Sequence, residues 1–180
     1  MKQYPQKPPR STQDVSSYFL TFCTFNREKV LHSPSVPEFI INELQFMSRK
    51  IDRLIAYTIM PDHIHLLVDI DEVKSLSNFL RDFKKYTSRE IKRLLEEVGK
   101  VAPHRIWQPG TMDHRIRTSV KSKDFENHLL YIFFNSKRHL NVPPKDFPYH
   151  NFMEFVKMEQ FDEDFLAFDE QLLPTFNRYE

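Results

Sequence analysis

Apolar positions change their period several times along the chain, and each change marks an element. Residues 18–25, "YFLTFCTF", are aromatic-rich and alternate loosely, which predicts a strand. Phe39, Ile40, Leu44 and Met47 then keep helical spacing, so a helix is expected from about Pro37, where a proline in the first turn is tolerated. "RLIAYTI", 53–59, and "HIHLLVDI", 63–70, read as two strands joined tightly through Pro61, plausibly an antiparallel pair. A long amphipathic helix follows over 75–100, with Leu76, Phe79, Leu80, Phe83, Leu94 and Val98 as its apolar stripe and Gly99 as its stop.

Residues 104–120 read as two short strands about "QPGT", and 122–140 as a further helix with Ser122 or Asp124 as its N-cap. The order β-α-β-β-α-β(β)-α predicts an α+β fold: a mainly antiparallel sheet with packed helices, in a ferredoxin-like layout. Residues 1–17 are polar and proline-rich and read as a flexible leader to a domain over 18–142. From 143 to 180 acids alternate with Phe161, Phe165 and Phe168, which reads as an acidic, aromatic tail that packs on the body.

Composition adds three things. The 40% hydrophobic content and 17 phenylalanines of the 180 residues suffice for one good core. No apolar run reaches the ~18 residues of a membrane span, the leader lacks a signal's apolar core, and the single cysteine, Cys23, excludes an internal disulfide. A cytoplasmic protein is expected. The net charge of +1 is also unevenly spread. Residues 1–140 carry 23 Lys and Arg against 16 Asp and Glu, a balance of +7, and residues 141–180 carry 3 against 9, a balance of −6. A basic body suits a polyanion such as nucleic acid, and the acidic tail can dock on that body or stay solvated.

Two candidates for chemistry stand out. His63 and His65 lie one residue apart in a strand, so they share a face with Leu67 and Asp69 while Ile64, Leu66 and Val68 face the other way. Two imidazoles so placed can chelate a metal ion, or can simply face solvent or pack beside an aromatic ring. On the 122–140 helix, Phe125, Leu129, Ile132 and Phe133 cluster toward the core. His128, Tyr131, Asn135 and Arg138 share another side. That side offers a phenol, an amide and a guanidinium to one place. A tyrosine can attack a phosphodiester and hold the product as a phosphotyrosine, given a Lewis acid at the phosphate. His63, His65 and the Asn135 amide oxygen could hold Mg²⁺ or Mn²⁺, and Arg138 could grip a phosphate. From spacing alone, Tyr131 reads more readily as a half-buried helix tyrosine with its hydroxyl at the surface. On the long helix, Arg81, Lys84, Lys85, Arg89, Lys92 and Arg93 form a solvated face or, in part, a phosphate-binding one.

"YTIMPDHIHLLV", "WQPGTMDHRIR" and "HLLYIFFNSKRHL" together resemble the signature of single-tyrosine HUH transposases, specifically the REP-associated tyrosine transposases of bacteria. "YFLTFCTFNREKVL" and "SLSNFLRDFKKYTSREI" extend the resemblance over 18–142. It implies a ferredoxin-like or RRM-like HUH fold and single-stranded or hairpin DNA as partner. Tyr131 matches the nucleophile that forms a 5′-phosphotyrosine, His63 and His65 the metal pair, and Asn135 a metal ligand or phosphate contact. Arg138, Lys84, Lys85, Arg115 and Arg117 are the expected DNA contacts, with Asp113, His114 and His128 in support. Two departures are Asp62, where many relatives carry Asn, and Ser136, where many carry Pro. The function expected is a metal-dependent single-strand DNA endonuclease and strand transferase in the bacterial cytoplasm, associated with the nucleoid. A monomer with its site formed in one chain is expected, the alternative being a dimer that shares the tyrosine helix. Two other functions compete: a non-catalytic DNA or RNA hairpin-binding module with an RRM-like sheet, and a metal hydrolase that activates water.

Overall fold

The computed structural model describes residues 16–33, 35–70, 73–117 and 123–164. In chain order the elements are β1 (Ser16–Cys23), α1 (Ser35–Met47), β2 (Arg53–Ile59), β3 (His63–Ile70), α2 (Val73–Glu97), β4 (Met112–Arg115), α3 (Asp124–Leu140) and α4 (Phe152–Lys157). The strands form one sheet in the order β2-β3-β1-β4, every pair antiparallel. This is the α+β, ferredoxin-like layout that the element order predicts.

β3 is buried along all eight residues, so its alternation divides two cores rather than core from solvent. Ile64, Leu66, Val68 and Ile70 join Tyr18, Leu20 and Phe22 of β1 beneath α1 and α2. Leu67 joins Phe19 beneath α3 and α4, with Ile132, Phe133, Phe152 and Phe161. The register fixes which side chains meet, because Thr21 stands opposite His65 and Cys23 opposite His63. The Met60 N–H closes the β2–β3 connection on the His63 carbonyl at 2.8 Å.

α2 ends as expected. Gly99 adopts φ 72°, and the Gly99 and Lys100 N–H groups return to the Glu96 and Leu95 carbonyls. Its buried stripe runs through Leu76, Phe79, Phe83, Thr87, Ile91 and Leu95. Val98 is not part of it: it lies past the helix end and is 51% exposed. The two strands expected over 104–120 are one strand, β4, preceded by a single bridge between Trp107 and Thr24. Trp107 is buried there, donating its indole N–H to Thr87 Oγ1 at 2.9 Å, so packing on α2 replaces a second strand. Asp124 is the first residue of α3 rather than its cap, and Ser122 lies outside the described residues, as do Phe165 and Phe168.

The chain after α3 folds back along β2. Thr58 bridges His150, Ile59 N–H donates to the Tyr149 carbonyl, and the buried Asn151 amide accepts from Tyr57 N–H and donates to the Ile55 carbonyl, both at 3.0 Å. His150 sits among Phe133, Phe147 and Phe152, with centroids 5.3–6.0 Å away, and burial pulls its imidazole down to about 4. A histidine held neutral in the fold binds its proton more readily when unfolded, so its contribution is intact above pH 6.5 and is lost as pH falls from 6.5 toward 4. Urea unfolding is therefore expected to show falling stability between pH 7 and pH 5. His150→Phe, which suits the aromatic surround, should remove about 2 kcal/mol of that fall.

Candidate functional site

A pocket of about 300 Å³ opens where the start of β3 meets the middle of α3. Its walls include His63 and His65 from β3, Thr21 from β1, Tyr131 and His139 from α3, and Arg27, Lys29 and Asp62 from the connecting turns. α3 reaches this place because its apolar residues must cover the β1–β3 face that carries Phe19 and Leu67. Residues 128–136 of α3 are all buried, so its polar side chains there are buried along with its apolar ones. Tyr131 is 3% exposed, which excludes the surface tyrosine that spacing alone allowed.

Each imidazole is held through Nδ1. His63 Nδ1 lies 2.7 Å from Asp62 Oδ1, and His65 Nδ1 lies 2.9 Å from Thr21 Oγ1. A carboxylate only accepts, so His63 donates Nδ1–H to Asp62 and turns Nε2 into the pocket. There His63 Nε2 lies 3.2 Å from Asn135 Oδ1. The Asn135 amide is oriented in turn, since its Nδ2 donates to the Tyr131 carbonyl at 2.9 Å. Tyr131 packs edge-on to His65, with centroids 5.1 Å apart, and the two histidine rings are 4.7 Å apart. The structure therefore gathers His63, His65, Tyr131 and Asn135 at one point.

The electrostatics set an uncharged imidazole and an ionised carboxylate in this cluster. Burial, followed by the neighbouring His63, His139, Arg27 and His128, holds His65 well below the ordinary histidine range. Burial alone would raise Asp62, but the His63 hydrogen bond, the His63 charge and Arg27, 3.4 Å away, hold its carboxyl below the usual range. Arg27 adopts φ 56° at the pocket rim. Its turn is fastened by Thr24, whose Oγ1 donates to the Glu28 and Asp62 carbonyls.

The remaining expected site residues are dispersed. Arg138, at the last turn of α3, is exposed next to His139, whose ring is 5.7 Å from His63. Arg115, Arg117 and Lys85 are exposed. Lys84 is half-buried on α2. It donates to the Gln108 carbonyl at 3.1 Å and to the Gly110 carbonyl and lies over the Phe22 ring, where it staples the turn before β4. On β4, Asp113 and His114 face opposite ways, and only His114 turns toward α3, where it meets Asp124 and His128. Asp62 and Thr21 were not singled out by sequence. Asp62 is adjacent to His63 in the chain and was readable in principle, whereas Thr21 is identified only by the β1–β3 register.

Comparison with known proteins bears on the whole chain. The family described as "Transposase IS200 like" matches residues 12–133. A Haemophilus influenzae protein described as a REP-associated tyrosine transposase is 31% identical over 153 residues, covering 82% of this chain and 85% of the relative. Among solved structures, a REP-associated tyrosine transposase bound to a REP hairpin superposes with a TM-score of 0.67 at 22% identity, covering 100% of this chain and 98% of that one. A transposase structure from Deinococcus radiodurans R1 gives a TM-score of 0.50 at 20% identity, covering 64% and 88%.

The hydrogen-bond pattern fixes an expected NMR signature. Long-range ¹H–¹⁵N spectra at neutral pH should show His65 as a single tautomer, its Nδ1 held by the Thr21 hydroxyl. Thr21→Val, which keeps shape and removes the hydroxyl, should abolish that single-tautomer state without unfolding the protein.

Proposed function

The chain belongs to the IS200-like transposase family, and from that premise we propose that it is a metal-dependent single-strand DNA endonuclease and strand transferase acting at hairpin repeats. The observation that carries the proposal is the meeting of Tyr131 with His63 and His65 in one pocket, with the Asn135 amide against His63.

The donor set suits a divalent ion. His63 Nε2 and Asn135 Oδ1 lie 3.2 Å apart, a contact that an ion bound to both would replace. That is close to the ~3.0 Å between adjacent ligands of an ion with bonds of ~2.1 Å. His65 supplies a second neutral imidazole. His63, His65 and Asn135 would hold Mg²⁺ or Mn²⁺, which when bound polarises the scissile phosphodiester and offsets charge on the departing oxygen. Asp62 and Thr21 orient the two imidazoles from behind.

Tyr131 supplies the nucleophile. Its phenolic oxygen attacks phosphorus, the bond to the 3′ oxygen breaks, and the 5′ phosphate stays on the tyrosine. Burial of Tyr131 between β3 and α3 fixes its position before the substrate arrives, which favours a near-attack geometry. Arg27 and Lys29 at the rim, with Arg138 nearby on α3, supply positive charge for the phosphates. A hairpin partner follows from the solved relative that holds a REP hairpin, with Lys85, Arg115 and Arg117 as exposed contacts to its backbone. The proposal includes a site formed within one chain and action in the bacterial cytoplasm; among the described residues no helix is long and apolar enough to cross a membrane. A bare RRM-like platform is disfavoured, because α3 covers the sheet face opposite α1 and α2.

A labelled single-stranded oligonucleotide carrying the hairpin repeat that flanks the gene should give a covalent protein–DNA band with Mn²⁺ or Mg²⁺. Tyr131→Phe should abolish the band, a loss of about 10³-fold or more, while leaving hairpin affinity unchanged, and EDTA should abolish it in the parent protein. Full cleavage by Tyr131→Phe would refute the tyrosine mechanism and favour activated water.

A further inference from the structure

We propose that His114, Asp124 and His128 form a second metal site, selective for a first-row transition-metal dication and separate from the pocket around His63. The three residues come from two elements that the fold brings together. Asp124 and His128 stand one turn apart on the first two turns of α3, on one face, and His114 reaches them from β4. One ligand atom from each lies within 4.8 Å of the others.

The three groups lie close enough for one ion to bridge them, in place of the hydrogen bond that His114 Nε2–H donates to the Asp124 carboxylate. Asp124 Oδ2 is 2.9 Å from His114 Nε2, and Asp124 Oδ1 is 3.2 Å from His128 Nδ1. Both distances match the ~3.0 Å edge of a coordination shell with ~2.1 Å bonds. The two imidazole planes are nearly parallel, 19° apart with centroids at 4.9 Å, and converge on the same carboxylate. Asp124 is fixed from behind by the Arg117 backbone N–H, 2.7 Å from Oδ2, as ligand carboxylates commonly are. His128 Nδ1 also lies 2.7 Å from the Asp124 carbonyl oxygen, to which it donates; coordination through Nδ1 replaces that bond and moves the ring proton to Nε2.

Two further observations favour an ion here. Burial would raise Asp124, but the Arg117 N–H and the two histidines hold it below the usual carboxylate range, so the ligand is ionised. His114 is 24% exposed at its side chain, which leaves a route from solvent. Two imidazoles and one carboxylate leave open positions, and such a set suits Zn²⁺, Co²⁺, Mn²⁺ or Fe²⁺ over Mg²⁺ and Ca²⁺. The Phe19 ring stands between the two sites, 4.6 Å from His128 and 5.2 Å from His65, so they share no ligand. An ion at this place ties β4 to the first turns of the helix that carries Tyr131. The inference does not rest on the DNA-cleavage reading.

The test is Co²⁺ titration of the full chain, read by calorimetric stoichiometry and by the visible absorption of the bound ion, with Mg²⁺ in excess. The parent protein should bind one more Co²⁺ than His114→Gln, which keeps a hydrogen-bond donor for Asp124. His63→Ala should keep the outer ion, and Zn²⁺ should raise its melting temperature. The same addition should leave His63→Ala/His114→Gln unmoved. Equal Co²⁺ stoichiometry in the parent protein and His114→Gln overturns the proposal. If His63→Ala does not fold, the comparison of the parent protein with His114→Gln decides alone.

Discussion

β3 has no solvent-facing side. Its even positions serve the core under α1 and α2, and its odd positions serve the one under α3. Once β1 and β3 pair in their observed register, the face carrying Phe19, His65 and Leu67 is a buried surface that α3 must cover. The hydrophobic gain from Leu129, Ile132 and Phe133 presses the helix onto that face. Tyr131 and Asn135 travel with it and are brought against His63 and His65. The chemical site is thus a by-product of packing, and its precision derives from the rigidity of the two layers.

Within that packing, polar groups are matched one by one. Asp62 and Thr21 each take one nitrogen of a histidine, and the Tyr131 carbonyl takes the Asn135 amide. Burying polar groups costs stability unless they are bonded, and these bonds also set the directions of the His63, His65 and Asn135 side chains. Asp62 sets a carboxylate 2.7 Å from His63 Nδ1 and so fixes the orientation of that ring.

Local patterns carried most of the fold. The helical stripes of α1, α2 and α3, the Gly99 stop and the alternation of β3 are short-range signals, and each corresponds to an element in the structure. What sequence missed depended on pairing between distant segments. Trp107 lies in a stretch that reads as a strand, yet its indole binds Thr87 on α2 and leaves a single bridge. Val98 continues the stripe by count but falls beyond the turn that Gly99 imposes. The histidines and Tyr131 could be assigned to faces, but whether those faces met required the register of β1. Asp124 looked like a cap because an acid at a helix start usually is one; in the fold it reaches sideways to β4 instead.

The returning segment along β2 has a consequence for how the molecule behaves among its own copies. An open sheet exposes two rims of unsatisfied amides and carbonyls, each a template for adding a foreign strand. On the β2 rim, Thr58, Ile59 and Tyr57 are already paired with His150, Tyr149 and Asn151. The opposite rim, β4, is four residues long and carries Asp113, His114 and Arg115, too short and too charged to recruit a neighbour. Both rims are thereby blunted against edge-to-edge aggregation, and the stretch after α3 acts as a built-in chaperone for the β2 edge.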